Sequence, residues 1–354
     1  MSTAATSPAT PSLLLVGDVR RPLVGLATLG CLLVAAVFEV FAVGVKEIPA
    51  LSDHAPWADD PYDVATSFAI FFVPLIAAVC LIRALLCRRA EPLPLTRAID
   101  LLRGCQLIIV VVAVTLIGDW ISAGLLANRD SWSAVTIGLI GGLATTSLAT
   151  LAVAVVAGRA SRALPPVNGA DPTTTDLLGD AVLLGRQAAR WLGPAEPVAL
   201  RALNAVDRRV VSRIRRYPVG AAVIGASAFA GAIVASVSLE EGVGPALVLF
   251  FAVGWCAMFA FLVGGGSYLG VVRGPGRVDG ARRRLLDAVV VTSASVPIAL
   301  GFRDSLWPLV GSTGESAGLH EVGLLLTVVA ALTFTLTLIA ETAGGLHEPA
   351  SAPR

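Results

Sequence analysis

The chain has 354 residues, 56% of them hydrophobic and only 14% charged, with a formal net charge of +1. A soluble domain carries about 25% charged residues, so a mean hydropathy of +0.81 excludes a water-soluble globule unless lipid covers most of its surface. Five scattered cysteines at no metal-ligand spacing argue against a disulfide framework and against a zinc site.

Residues 1–21 form a polar N-terminal tail. The Arg20-Arg21 pair precedes an apolar run about twice as long as a signal-peptide core, which predicts a retained first helix. A hydrocarbon core about 30 Å thick needs about 20 helical residues. Eight stretches meet that length: 22–45, 65–87, 104–127, 134–158, 218–239, 243–269, 284–302 and 321–344. Backbone groups in lipid must pair within their own segment, so all eight are predicted as helices. The fold class is an all-α integral membrane protein with a cytoplasmic tail at 345–354.

Basic residues set the direction. With the N-terminus inside, 23 of the 26 lie on inner segments, and only Lys46, Arg129 and Arg303 lie outside. The alternation holds at every loop, which predicts eight spans with both termini cytoplasmic in a bacterial-type inner membrane. The outer face then carries eleven acids. Such a face can concentrate cations, although the sorting rule alone also produces it.

The segment 159–217 divides the chain into two four-helix units, 22–158 and 218–344. Both start and end inside, so a duplication would be parallel. Arg20-Arg21-x-x-Val24-Gly25-x-Ala27-x-x-Gly30 matches Arg215-Arg216-x-x-Val219-Gly220-x-Ala222-x-x-Gly225, a faint trace of such a repeat. Within the connector, Thr175-Asp176 predicts a helix start and a helix over 176–192 that ends near Gly193-Pro194. A second helix is expected over 197–216, with Leu200, Leu203, Val206, Val210 and Ile214 on one stripe. Arg208, Arg209 and Arg213 fall beside that stripe. A basic amphipathic helix suits an anionic inner leaflet, with Trp191 as an interfacial anchor. The same helix could instead dock a cytoplasmic partner of a membrane complex.

Charges inside spans cost at least about 2.5 kcal/mol each at mid-bilayer. Glu39 and Asp119 lie at matched depth, roughly 10–12 Å below the outer boundary at 1.5 Å per residue. Two carboxylates so placed suit proton or cation handling; two protonated acids hydrogen-bonded to neighbouring helices are the structural alternative. Asp287 and Glu341, near inner ends, read as structural. Pro74 and Pro297 remove backbone donors and are expected to kink helices, with Thr292, Ser293 and Ser295 available for the freed carbonyls. Gly138-x-x-x-Gly142 and Gly266-x-x-x-Gly270 read as close-packing faces.

Asp59-Asp60-Pro61-Tyr62-Asp63 resembles the magnesium-diphosphate motif of prenyl-transferring enzymes. No second acidic motif accompanies it, Pro61 favours a loop, and its predicted side is outside. His54 and His320 are also external and too loosely placed to specify a metal. No Walker motif, dinucleotide fingerprint, catalytic triad or nucleic-acid-reading pattern occurs, and no motif assigns the chain to a known family. No catalytic residue, metal or cofactor is expected. The leading reading is a transport-type permease or channel-like protein, cation- or proton-coupled through Glu39 and Asp119. The alternatives are a non-catalytic membrane subunit or scaffold, as a homo-oligomer or docking a partner through 176–216, and a membrane lipid-processing enzyme.

Overall fold

The computed structural model describes residues 21–56, 63–88, 95–126, 132–164, 177–268, 280–301 and 318–345. Among these residues all regular structure is helical, and eight helices are long and apolar enough to cross a membrane. This supports a multi-pass membrane protein. The spans are α1 (Arg21–Glu47), α2 (Asp63–Arg88), α3 (Leu95–Leu126) and α4 (Ala134–Ala163). Two connector helices follow, α5 (Leu177–Ala189) and α6 (Glu196–Val206). The remaining spans are α7 (Pro218–Glu241), α8 (Ala246–Ala260), α9 (Gly280–Gly301) and α10 (Leu319–Gly345). A π turn, Phe261–Gly265, carries α8 on to Gly266–Tyr268.

Helices α1 to α4 close into a four-helix bundle in which each packs on the next and α1 returns onto α4. Their buried positions explain why. On α1 they are Val24, Ala27, Cys31, Val34, Phe38, Ala42 and Val45; on α2 they are Ala69, Val73, Ile76, Cys80, Arg83 and Cys87. Steps of three and four keep one seam facing the partners. On α4 the seam falls on Thr136, Leu139, Leu143, Thr146 and Thr150. The threonines are tolerated because Thr146 and Thr150 donate to carbonyls one turn back on their own helix, at 2.9 and 2.8 Å. Ser133 caps the start of α4 by accepting from Thr136 N at 3.1 Å, satisfying a donor that has no partner within the helix.

Helices α7 to α10 pack differently, as a row in which α8 touches α7 and α9, and α9 touches α10. The α7–α8 contact is built on small residues. Ala222, Ala226 and Ala230 are buried at four-residue steps, and Gly254 lies 3.8 Å (from its would-be Cβ) from Ala230 Cα. Close backbone approach is how helices associate where lipid removes the hydrophobic drive. Trp255 Nε1 donates to Ser227 Oγ across this contact at 3.1 Å. The repeat traced in the sequence therefore aligns α1 with α7, although α1 sits in a closed bundle and α7 at the end of a row.

Two boundaries differ from the sequence reading in ways that matter. Helix α3 begins at Leu95 rather than at residue 104, so Arg97, Asp100 and Arg103 ride on the helix. In the connector, α5 ends at Ala189 and a 3-10 turn runs over Arg190–Ala195. Gly193 there has φ +55°, a conformation glycine adopts without steric penalty. Helix α6 continues through a π turn, Asp207–Val211, into Ser212–Arg216. The wider turn shifts the register: Val211 is buried, while Val206 and Val210, placed on the apolar stripe by sequence, are exposed.

Candidate functional site

Polar side chains enter the α1–α4 bundle in two layers. The first lies toward the ends away from the connector. Asp119 occupies the seam of α3 and is only 4% exposed. Glu39 flanks the α1 seam, and its Oε1 is buried with no hydrogen-bond partner. Phe38 and Ala42 beside Glu39, and Leu116 and Ala123 beside Asp119, belong to one packed cluster that runs through the bundle. Two hydroxyls beside Asp119 on α3 bond back to their own helix. Thr115 Oγ1 donates to Val111 O at 3.0 Å and Ser122 Oγ to Gly118 O at 3.1 Å. Lys46, two turns further along α1, donates to Ser67 Oγ on α2. A carboxyl oxygen buried without a protein donor is costly unless a proton, a water or a cation meets it.

The second layer, at the connector end, was not anticipated. Arg83 takes a seam position of α2 and is the largest fully buried side chain, 1% exposed. Sequence reasoning counted it with the flanking loop arginines. Its charge is met electrostatically by Asp100 on α3 and Asp180 on α5, both buried. Asp180 also accepts from Arg97 at 3.3 Å, and Arg103 lies 3.8 Å from Asp100. The connector helix is thus anchored to the bundle through an acid that points into it. Arg186 of α5 then donates to Asn204 and Asp207 at 2.9 and 3.1 Å, tying α5 to α6.

Between the two layers lies an apolar plug. Val73, Ile76, Ile108, Val112 and Leu143 are each 0–1% exposed. Three thiols, Cys31, Cys80 and Cys105 from three different helices, meet on the connector side of this plug. Cys31 Sγ donates to Cys105 O at 3.6 Å. All five cysteines are free, and among the described residues neither these thiols nor any other group of three or more His, Cys, Asp or Glu side chains is arranged to hold a metal ion.

The other residues singled out by sequence fall as follows. Helices α2 and α9 run unbroken through Pro74 and Pro297. Ser295 does not serve the Ser293 carbonyl that Pro297 leaves without a donor; its hydroxyl donates to Thr292 O at 2.8 Å and meets Thr333 Oγ1 of α10 at 3.0 Å. A side chain at Gly142 would meet Phe41 of α1 at 2.7 Å, whereas nothing lies within 4 Å of one at Gly138. Gly266 is buried just past the π turn of α8. Gly270, Asp59, Asp60, His347 and Arg303 lie outside the described residues, as does the side chain of Glu341. Trp191 is 81% exposed, and Arg208, Arg209 and Arg213 are exposed on the same connector. His54 Nδ1 pairs with Ala50 O at 3.1 Å, and Asp287 pairs with Arg283 at 3.8 Å. No family model, curated protein or solved structure matches the chain.

Proposed function

We propose that the chain is a transport-type membrane protein of a bacterial-type inner membrane, with both termini and the connector cytoplasmic, in which Glu39 and Asp119 take up a proton or a cation from the outer side. The observation that carries this reading is the buried, partnerless Glu39 Oε1 in the same four-helix bundle as buried Asp119. Evolution rarely retains such groups at membrane depth without a use. The apolar plug between the two charged layers makes this a closed state, so transport requires α1 to α4 to shift and open it. The experiment is flux in proteoliposomes under an imposed proton or cation gradient. Glu39→Gln and Asp119→Asn should each cut flux at least tenfold while expression and thermal stability persist. Wild-type flux in both variants would sink the mechanism.

A second reading, a scaffold or subunit, is favoured by a separate observation. The connector is fixed to the bundle at Asp180 yet leaves Trp191, Val206, Val210, Arg208, Arg209 and Arg213 exposed. Such a face fits an anionic leaflet or a protein partner. Purification in mild detergent separates the cases. A partner at fixed stoichiometry that is lost when the three arginines become alanine supports the subunit reading, and a solitary protein removes it.

A further inference from the structure

A cavity of about 390 Å³ lies between α2 and α3 on one side and α8 and α9 on the other. Its walls are apolar: Phe72 and Ile76 of α2, Val111 of α3, Ala260 and Phe261 of α8, and Pro297 of α9. All six lie on spans, so lipid and not water surrounds the opening. One turn beyond its connector end the side chains are polar. Leu107 and Gly265 line the cavity. Four residues from Leu107 on α3 comes Arg103, and three from Gly265 comes Tyr268, each about one turn beyond the lining. These two side chains meet, with the Arg103 guanidinium 5.7 Å from the Tyr268 ring centre. Tyr268 Oη donates to Gln106 Oε1 at 2.9 Å, and Gln106 donates on to Ser161 of α4 at 3.3 Å.

We propose that this seam is a binding site for a single phospholipid, with an acyl chain in the cavity and the phosphate on Arg103 beside the Tyr268 hydroxyl. The charge complementarity lies at this end. Arg103 has 30% of its side chain exposed, and its contact with Asp100 is long at 3.8 Å. Guanidinium N–H groups therefore remain for a phosphate, the acceptor they match best. The π turn at Phe261–Gly265 belongs to the same wall, and π turns recur at functional sites because they widen a helix locally. The occupied site would bridge the α1–α4 bundle and the α7–α10 row.

The test uses the full chain purified in a neutral detergent, with native mass spectrometry during titration of phosphatidylglycerol and of diacylglycerol with the same chains. The expected result is one phosphatidylglycerol retained per chain and at least tenfold weaker diacylglycerol binding. Arg103→Gln should weaken phosphatidylglycerol about tenfold, Arg103→Lys should keep most of it, and Arg159→Gln, an exposed arginine on α4, should change nothing. Ala294→Phe, which fills the cavity, should abolish retention. Thermal melting of each variant in the same detergent reports its fold, and Arg103→Lys against Arg103→Gln decides the matter if Ala294→Phe misfolds. Equal retention by Arg103→Gln and wild type, or equal affinity for the two lipids, overturns the proposal.

Discussion

At the residue scale, what distinguishes this bundle is which side chains occupy seam positions. Arg83 and Asp119 stand where the three-and-four spacing puts aliphatics elsewhere, and Cys31, Cys80 and Cys105 fill the seam between them. The thiols behave as small hydrophobes in a tight layer, which gives a direct expectation. A membrane-permeant maleimide applied to native membranes should label half-buried Cys256 first and leave those three unmodified until the protein is unfolded in detergent, when all five react. Rapid labelling of Cys31, Cys80 or Cys105 in native membranes would mean that the layer opens readily. The glycines of α4 give a second contrast. Gly142→Ala drives a methyl group against the Phe41 ring and should destabilise by about 1–3 kcal/mol, as over-packing does. Gly138→Ala meets nothing and should be neutral or slightly stabilising, because glycine is the poorer helix former by roughly 0.5–1 kcal/mol. Denaturation midpoints of the two variants check the pair. Equal midpoints would show that α1 and α4 are not packed as described.

At the scale of elements, the connector is anchored to the bundle through Asp180. Asp180 enters the bundle to meet Arg97 and Arg83, and Arg186 holds α6 to α5. Removing one partner of a buried pair can cost about 3–5 kcal/mol; the partial exposure of Arg97 reduces this to roughly 1–3 kcal/mol by solvent screening. Asp180→Asn should therefore loosen α5 without unfolding the spans, and trypsin should cut after Arg186 and Arg190 several-fold faster. Unchanged cleavage would place the anchor elsewhere. The spans themselves were legible in the sequence because each is a long apolar run, which only a membrane helix tolerates. The start of α3 was not, because Arg97, Asp100 and Arg103 look like loop polarity. Their spacing of three was the available signal, since it puts them on one helical face, and the Asp180 side chain that meets Arg97 is some eighty residues away in the chain. The register of α6 was illegible for another reason. Nothing in the periodicity marks a π turn, and one such turn moves Val211 inward and Val210 out.

At the scale of the whole molecule, the closed bundle and the helix row meet through aromatic contacts from one stretch of α2. Phe72 lies 4.8 Å (centre to centre) from Phe261 of α8, and Phe71 lies 4.6 Å from Phe229 of α7. Sequence periodicity could not show this, because in so apolar a chain every helix face is lipid-compatible and no polarity contrast marks an interface. The candidate carboxylates were legible, since a charge within a span stands out against its neighbours. Their setting was not, because the shared cluster around Glu39 and Asp119 depends on how α1 and α3 pack. If the aromatic contacts hold the two parts together, Phe72→Ala should weaken the junction. The expected loss is roughly 1–3 kcal/mol, below the usual 3–5 for a buried phenylalanine, because Phe72 is only partly buried. Phe71→Ala, whose ring is exposed by 40%, should cost less. Hydrogen exchange of the full chain in detergent reads out where the loss falls. Faster exchange in α8 and α9 with α1 to α4 unchanged would locate the weakness at the junction. Uniform acceleration across all eight spans would instead mean that bundle and row fold as one cooperative unit. Glu39 and Asp119 would then be coupled to α9 and α10, and mutations there should alter any flux that the two carboxyls support.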